Sequence, residues 1–372
     1  MDFYGYMRPN GKAGARNYVL LLPVNRSLNF IASNVERMTR NTHHFEIPAE
    51  TGRTEVDREV IARTLIGLMN NANVGGIVLL AVKSGAGSAY KNMCAERFEE
   101  EARKTGKPFR IVYLTNVGGS YNMLGETLRL TREVLLEVSD FRRENCPLSA
   151  LTLGVKCGTS DATSGIAGNP CVGAAFDQLI RAGGTAFFSE TTEIIGAEDL
   201  VAKRAVNESV AKKILSAARH WEDKAKATGE DIRKINPIPA NIAAGISSLE
   251  EKSLGAIAKS GTSPIQDVLK YAEMPKGSGL YFVDSWMSSL SLPLCLTACG
   301  ATIMLYQMGG GKIAQHPMMP SINPTVVSPF LYLTGNAIAY SRAPDNFDFD
   351  ASPIMTLKVV QNRHDTQVKM TF

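Results

Sequence analysis

Short apolar runs alternate with amphipathic stretches through the first third of the chain. The apolar runs are typical of strands buried on both faces of a parallel sheet, and they cover residues 18–24, 77–82 and 109–114. Between them apolar residues recur at helical spacing, in stretches 30–40, 54–70, 89–105 and 124–138. This alternation predicts an α/β domain with a doubly wound, Rossmann-like parallel sheet over residues 14–145.

A second unit follows a charged segment that ends in proline and serine, residues 139–149. The apolar runs after it predict strands at 151–155, 185–188, 279–283 and 301–306. A polar stretch predicts a helix over 198–228. We therefore predict an N-terminal α/β domain at residues 1–147 and a second, catalytic α/β domain at 148–372.

Composition excludes several functional classes. The 372 residues carry a net charge of +4 without a basic block, so nucleic-acid binding is not expected. The N-terminus lacks the apolar core of a signal peptide, and no apolar run approaches the length of a membrane span. The six cysteines are scattered and form no CxxC pair, which argues against structural zinc. We expect a reduced, cytoplasmic protein.

The densest polar chemistry follows the strands predicted at 151–155 and 185–188. The first strand runs into the loop Lys156-Cys157-Gly158-Thr159-Ser160-Asp161, and the second into Ser189-Glu190 and Glu193. Ligands bind outside the carboxyl ends of strands in open α/β sheets, so both segments are expected at one crevice. The pair Asn169-Pro170 is typical of a helix N-cap. It would place free backbone N–H groups beside the loop, where they could form an anion-binding site.

Four motifs together resemble the altronate/galactarate dehydratase family and the large subunit of its relative, sulfolactate sulfo-lyase. They are GYMRPNGKAGARNYVLLLPV, KCGTSDATSGIAGNP…RAGGTAFFSETTEIIGAEDL, NIAAGISSLEEKSLGAIAKSG and YFVDS…CGATIMLYQMGGG. The resemblance implies β-elimination from a small anionic 2-hydroxy acid, assisted by a divalent metal, with Fe²⁺ expected. It also implies a small β-rich domain, which could be a separate subunit, and we expect a homo-oligomer. Where the dehydratases carry a His-Gly…Gly-Cys-Gly element, this chain has Thr42-His43-His44-Phe45 and no cysteine.

The resemblance suggests roles for the acidic and thiol side chains. Cys157, Asp161 and Glu193 are candidate metal ligands. Asp161 and Glu190 are also candidates for proton transfer, and His44 is the first choice as base because histidine titrates near neutrality. The structural alternatives are a buried cysteine, an Asx turn, acidic residues that favour a helix N-terminus, and a solvated histidine pair.

Substrate binding is predicted for two groups of residues. Thr159, Ser160 and Lys252 belong to the motifs of the second unit, and a capping box from Ser247 to Glu250 is the structural alternative near Lys252. Arg16, Asn17 and Lys83 belong to the N-terminal unit, where Arg16 could clamp a carboxylate or sulfonate or form an ordinary salt bridge. Gly309–Lys312 resembles a phosphate loop without its Ser or Thr, and His316 is a second candidate base.

These observations predict a lyase of the dehydratase type acting on a sugar acid such as altronate or galactarate. One alternative is a sulfolactate sulfo-lyase that releases sulfite. Another is a relative that binds a ligand without catalysis, because the motif cysteine of the first unit is missing. No dinucleotide fingerprint supports an oxidoreductase.

Overall fold

The computed structural model describes residues 2–48, 51–83, 91–288, 291–309, 330–342 and 349–351. The strands are β1 Asp2–Met7, β2 Ala13–Gly14, β3 Tyr18–Pro23, β4 Thr42–His44, β5 Val74–Ala81, β6 Phe109–Tyr113, β7 Glu144–Pro147, β8 Thr152–Cys157, β9 Thr185–Phe188, β10 Ile265–Leu269, β11 Gly279–Val283, β12 Ile303–Gln307, β13 Phe330–Thr334 and β14 Phe349–Asp350. The α-helices are α1 Asn29–Met38, α2 Glu55–Asn70, α3 Ala95–Lys104, α4 Leu114–Val117, α5 Ser120–Ser139, α6 Asn169–Arg181, α7 Glu198–Ala202, α8 Glu208–Ala227, α9 Ile232–Ile235, α10 Pro239–Ala243, α11 Leu249–Ile257, α12 Ser291–Cys299 and α13 Ala337–Arg342.

The N-terminal unit contains a parallel sheet with the strand order β4-β3-β5-β6. The apolar side chains of α1 and α5 pack on one face of this sheet, and those of α2 and α3 pack on the other. Strand β5 is buried along its whole length because helices cover both faces, which explains its unbroken apolar run. The predicted doubly wound α/β domain is confirmed.

The second unit is built on a parallel sheet with the order β10-β11-β9-β8-β12-β13-β14. Helices α6 and α8 cover one face, and α12 covers the other. Strands β8, β9 and β12 occupy the middle of the sheet, so their carboxyl ends are adjacent. The predicted second α/β domain is also confirmed.

Several elements differ from the prediction. The helix expected over 198–228 is interrupted, and Asn207 caps α8 by accepting a hydrogen bond from the Val210 amide. Strands β10, β13 and β14 were not predicted. The chain also forms a small antiparallel sheet, β2-β1-β7, in which β1 pairs with a segment about 140 residues away, as at Phe3 and Cys146.

Helix α2 of the first unit packs against α12 of the second. A Cβ on Gly67 would lie 2.2 Å from the carbonyl oxygen of Ala298, so only glycine permits this approach. At the end of α2 the buried Asn71 amide donates hydrogen bonds to the carbonyls of Thr297 and Ala301, at 2.8 and 2.9 Å. These contacts fix the two sheets relative to each other. No helix in the described parts of the chain is long and apolar enough to cross a bilayer.

Candidate functional site

A cavity of about 620 Å³ lies at the carboxyl ends of β8 and β12. Six residues predicted for the site contribute to its wall, namely Cys157, Thr159, Ser160, Asp161, Glu193 and Lys252. The segments after β8 and β9 meet as predicted, because a carboxylate oxygen of Glu190 accepts a hydrogen bond from the Cys157 amide at 2.9 Å.

Four buried charged side chains form a continuous network behind the cavity. The Lys156 ammonium lies 2.7 Å from Oε1 of Glu190, and the Lys259 ammonium lies 2.8 Å from Oε2 of the same carboxylate. Lys259 also donates to Oε2 of Glu193 at 2.5 Å. Lys156 and Glu193 reach the cavity wall, whereas Glu190 does not. The network thus connects a buried centre to two cavity-facing groups.

The network favours the charged forms of Glu190, Lys156 and Lys259. Burial by itself would raise the pKa of Glu190, but the ammonium groups of Lys156 and Lys259 lower it to about 2. Burial would likewise lower the pKa of Lys156 and of Lys259, but the neighbouring carboxylates raise both above the ordinary value for lysine. Each charge is therefore stable only while its partners are present.

Glu190 occupies an unusual backbone conformation for a residue with a side chain. Its φ is 71° and its ψ is 66°, in the left-handed region that normally favours glycine. Its side chain is completely buried, with both oxygens engaged by Lys156, Lys259 and the Cys157 amide. These contacts offset the backbone strain. Glu190 therefore organises the network and does not face the cavity as the predicted catalytic acid would.

Cys157 ends β8 with a buried thiol. Its Sγ lies 3.2 Å from the hydroxyl oxygen of Ser160. Burial raises the pKa of the thiol to about 12, so the group is protonated near neutral pH. A protonated thiol can donate a hydrogen bond, but it is a poor nucleophile.

Asp161 begins the helical segment that follows the loop, which corrects the prediction for Asn169-Pro170. The chain is helical from Ala162, passes through a π-helical turn at Ser164–Gly168, and continues into α6. The carboxylate of Asp161 caps this segment by accepting a hydrogen bond from the Ser164 amide at 3.0 Å. Asn169 has ordinary helical backbone angles, so no free helix end lies there to bind an anion.

The Asp161 carboxylate has further partners. Oδ1 also accepts from the Thr163 hydroxyl at 2.6 Å, and Oδ2 accepts from the Asn336 amide at 2.8 Å. A Cβ on Gly309 would lie 2.5 Å from the Asp161 carboxyl carbon, so this glycine allows the loop after β12 to pass close by. Most of the hydrogen-bonding capacity of Asp161 is used within the protein.

Lys252 extends from α11 into the wall of the cavity. The capping box of this helix lies one residue later than predicted, with Ser248 accepting from the Glu251 amide and Glu251 accepting from the Ser247 amide. The buried Lys252 ammonium donates to the side-chain oxygens of Asn236 and Asn241, at 2.6 and 3.1 Å. No carboxylate in the described part of the chain forms an ion pair with Lys252, so its charge is available to an anion.

Family models match nearly the whole chain. The model described as "D-galactarate dehydratase/Altronate hydrolase, second domain" matches residues 5–139, and "D-galactarate/Altronate dehydratase, C-terminal" matches residues 148–370. The chain belongs to the galactarate/altronate dehydratase family. The resemblance inferred from the motifs is confirmed.

Individual relatives of this family cover most of the chain. The (2R)-sulfolactate sulfo-lyase subunit beta of Chromohalobacter salexigens is 31% identical over 99% of this chain and 91% of its own length. Altronate dehydratase of Bacillus subtilis is 32% identical over 94% of this chain and 68% of its own length. Galactarate dehydratase (L-threo-forming) of Escherichia coli is 31% identical over 83% of this chain and 62% of its own length. These relatives are lyases, and this member of the family is an enzyme of the same class.

The described residues do not form the predicted metal site. Within the ranges that the structure covers, no group of three or more His, Cys, Asp or Glu side chains is arranged to hold a metal ion. Two of the three predicted ligands are otherwise engaged, since Glu193 pairs with Lys259 and Asp161 accepts several hydrogen bonds. The ligand set predicted from the family resemblance does not fit this geometry.

The candidates from the N-terminal unit do not line the cavity. His44 contacts the Glu36 carboxylate through Nδ1, and its Nε2 lies 3.6 Å from Oε1 of Glu46. Asn17 is used in packing, because it accepts a hydrogen bond from Arg8 at 2.9 Å and donates to a carbonyl of α5. Arg16 and Lys83 are exposed. The structure therefore separates these four candidates from the group around Cys157.

Sequence reasoning missed several residues of the site. Lys259 completes the buried network, and Asn241 and Asn336 hold Lys252 and Asp161. One signal was available for Lys259, a charged residue in the small and apolar stretch GAIAKSG. Of the glycine cluster, Gly309 is described, while residues 310–312 and His316 lie outside the described residues.

Proposed function

We propose that this enzyme catalyses β-elimination of water from a small 2-hydroxy carboxylic acid. One observation carries the proposal. Lys252 is a buried ammonium on the wall of the 620 Å³ cavity, and its partners in the described chain are neutral amides. A buried cation favours an anionic partner, and a substrate carboxylate supplies one.

The reaction breaks the C2–H and C3–O bonds of the substrate and forms the C2=C3 double bond and an O–H bond of water. A base takes the proton from C2, next to the carboxylate, and the electron pair of that C–H bond forms the C2=C3 double bond. The hydroxyl on C3 leaves with a proton as water, and the resulting enol tautomerises to a 2-oxo acid. Negative charge accumulates on the carboxylate during proton removal, so cations around that group stabilise the transition state.

Glu193 is the best-placed base. It faces the cavity, and Lys259 holds it through Oε2. Lys252 binds the substrate carboxylate, and the Lys156 ammonium adds positive charge on the same cavity wall. Thr159 and Ser160 supply hydroxyl groups to the wall and are proposed to contact substrate hydroxyls. Asp161 positions the loop through its cap, so it contributes to binding more than to proton transfer.

Sulfite is the second candidate leaving group. The same elimination applied to a C3 sulfonate breaks a C–S bond in place of a C–O bond. The coverage of 99% of this chain by a sulfo-lyase subunit favours this candidate. That relative is named as a subunit beta, which supports the further proposal that a small second subunit binds this chain. Assembly into a homo-oligomer and a cytoplasmic location stay predictions.

Dependence on iron also stays a prediction, and no step above requires it. Purified protein should be assayed with and without Fe²⁺ and after chelation, against galactarate, altronate and (2R)-sulfolactate. A 2-oxo acid formed from a sugar acid supports dehydration, and sulfite release supports the second candidate. Absence of turnover across the panel with bound acid would indicate the non-catalytic relative.

The Lys252→Met variant tests whether the Lys252 ammonium binds the substrate carboxylate. We expect KM for the acid to rise about tenfold or more, because a charge-assisted hydrogen bond to the carboxylate is lost. Lys212→Met is the matched control, since Lys212 is exposed and pairs with the exposed Glu208. An unchanged KM in Lys252→Met would contradict the proposed binding mode.

A further inference from the structure

A second, smaller cavity of about 290 Å³ is lined in part by Lys252. It shares Ser160, Asp161 and Lys252 with the larger cavity. We propose that this small cavity is a subsite for the uncharged, hydroxyl-bearing end of the substrate, and that its lining residues determine substrate length. The proposal rests on the function proposed above, because it assumes that Lys252 binds the carboxylate end.

Hydrogen bonds link two of the residues that the cavities share. Lys252 donates to Oδ1 of Asn241 at 3.1 Å, and Nδ2 of Asn241 donates to the Ser160 carbonyl at 3.1 Å. A ligand whose carboxylate binds Lys252 therefore begins at the boundary and can extend past it when one hydrogen bond is exchanged for a contact with the ligand.

Two glycines bring the walls of the small cavity together. Gly165 in the π-helical turn faces Gly255 in α11, and a Cβ on either residue would lie 3.1 Å from the Cα of the other. Asn169, in the same wall, donates its amide to the Gly255 carbonyl at 2.9 Å. This contact fixes the orientation of the Asn169 side chain and leaves its oxygen as the remaining polar atom.

The Asn169 oxygen is an unused acceptor. The residue is 2% exposed, and its Oδ1 has no hydrogen-bond partner among the residues described. A buried acceptor without a donor is costly, so a site that supplies a hydroxyl donor is favoured. A π-helical turn, which is often associated with functional sites, forms the adjacent wall.

The charges of the small cavity exclude a second anionic group. Asp161 and Glu251 both line it, whereas Lys252, which is shared with the larger cavity, is the single basic side chain among the described lining residues. The remaining contacts are largely apolar, and Ile166 and Leu254 are about half exposed at its edge. Hydroxyl groups can donate to carboxylate and amide oxygens while the carbon chain packs against apolar side chains.

A bulky substitution at an exposed residue of the cavity edge tests this proposal. Leu254→Trp adds bulk at the edge of the cavity, and Ile242→Trp is the matched control, because Ile242 is 55% exposed and lines neither cavity. We compare kcat/KM for the six-carbon altronate, whose far end is an uncharged hydroxymethyl group, with kcat/KM for the three-carbon (2R)-sulfolactate. The ratio is expected to fall about tenfold in Leu254→Trp and to stay at the parent value in Ile242→Trp.

Other outcomes separate this inference from the proposed function. An unchanged ratio of the two kcat/KM values in Leu254→Trp overturns the subsite. Turnover of sulfolactate without turnover of the six-carbon acid also overturns it, but leaves the proposed elimination in place. If neither acid reacts, the proposed function fails. The subsite is then tested separately by measuring the binding of galactitol, an uncharged six-carbon polyol. Binding to the parent and to Lys252→Met that is lost in Leu254→Trp supports the subsite, and no binding to the parent overturns it.

Discussion

Gly67 and Ala298 place the backbones of two helices in contact across the boundary between the two sheets. A Cβ on Gly67 would lie 2.2 Å from the Ala298 carbonyl oxygen. The absent side chain therefore permits α2 to pack on α12, which in turn packs on the sheet that carries the cavity.

Gly67→Ala should therefore destabilise the protein, although alanine is the better helix former. Overpacking of this kind costs about 1–3 kcal/mol. Gly125→Ala is the matched control, since Gly125 lies in α5 with nothing within 4 Å of its added Cβ. That substitution should raise the free energy of unfolding by about 0.5–1 kcal/mol. Urea denaturation of both variants measures the difference, and equal shifts would contradict the interface.

Lys259 is the next test, because it neutralises two buried carboxylates. Lys259→Met leaves Glu190 and Glu193 without that ammonium and should lower the free energy of unfolding by about 3–5 kcal/mol. Lys213→Met removes an exposed ion pair with Asp267 and should cost less than about 1 kcal/mol. Adding Glu193→Gln to Lys259→Met should recover part of the loss. A variant as stable as the parent would show that the network is not required for folding.

Glu193→Gln tests the proposed base. The amide keeps the shape of the side chain and can still accept from Lys259, but it cannot take a proton. We expect kcat to fall by about 10²–10⁴-fold while KM changes little. Glu250→Gln, at an exposed position of α11, is the control. The kcat and KM values are measured by steady-state kinetics on the best substrate of the panel. A kcat near that of the parent would show that another residue is the base.

The pair formed by Glu36 and His44 predicts a pH dependence of stability. Burial lowers the pKa of His44, but the Glu36 carboxylate more than compensates, so the folded pKa exceeds the ordinary value of about 6.5. This contribution is fully present below the unfolded pKa and is lost as the pH rises through the folded pKa. The free energy of unfolding of the parent should therefore fall between these two values.

Glu36→Gln should flatten this dependence, because the charge that raises the pKa of His44 is removed. His220→Gln should retain it, since His220 is exposed on α8. Denaturation curves collected from pH 6 to pH 9 compare the three proteins. If the free energy of unfolding changed equally with pH in the parent and in Glu36→Gln, the Glu36–His44 pair would be ruled out as the source of the pH dependence.

Part of the site could be predicted because strand ends can be recognised locally. Cys157, Ser160 and Asp161 follow an apolar run directly, and Glu193 follows another, so their presence at one sheet edge was expected. The cap at Asn169 was mispredicted because the π-helical turn joins the earlier helical residues to α6 without a break. The asparagine and proline pattern has the same form whether or not a helix precedes it.

The sequence by itself determined the α/β class, the family, the central strands of both sheets and several of the long helices, because apolar periodicity is carried by residues close together in the chain. Strand β10 was not predicted because its sequence, IQDVL, contains polar residues that lie at a sheet edge and break the apolar pattern. Only the tertiary structure decided that Lys259 meets Glu193 across 66 residues. It also separated His44 from the cavity and enclosed Glu190. Burial and charge pairing depend on which distant segments pack together, and these long-range contacts set the roles and pKa values of the side chains.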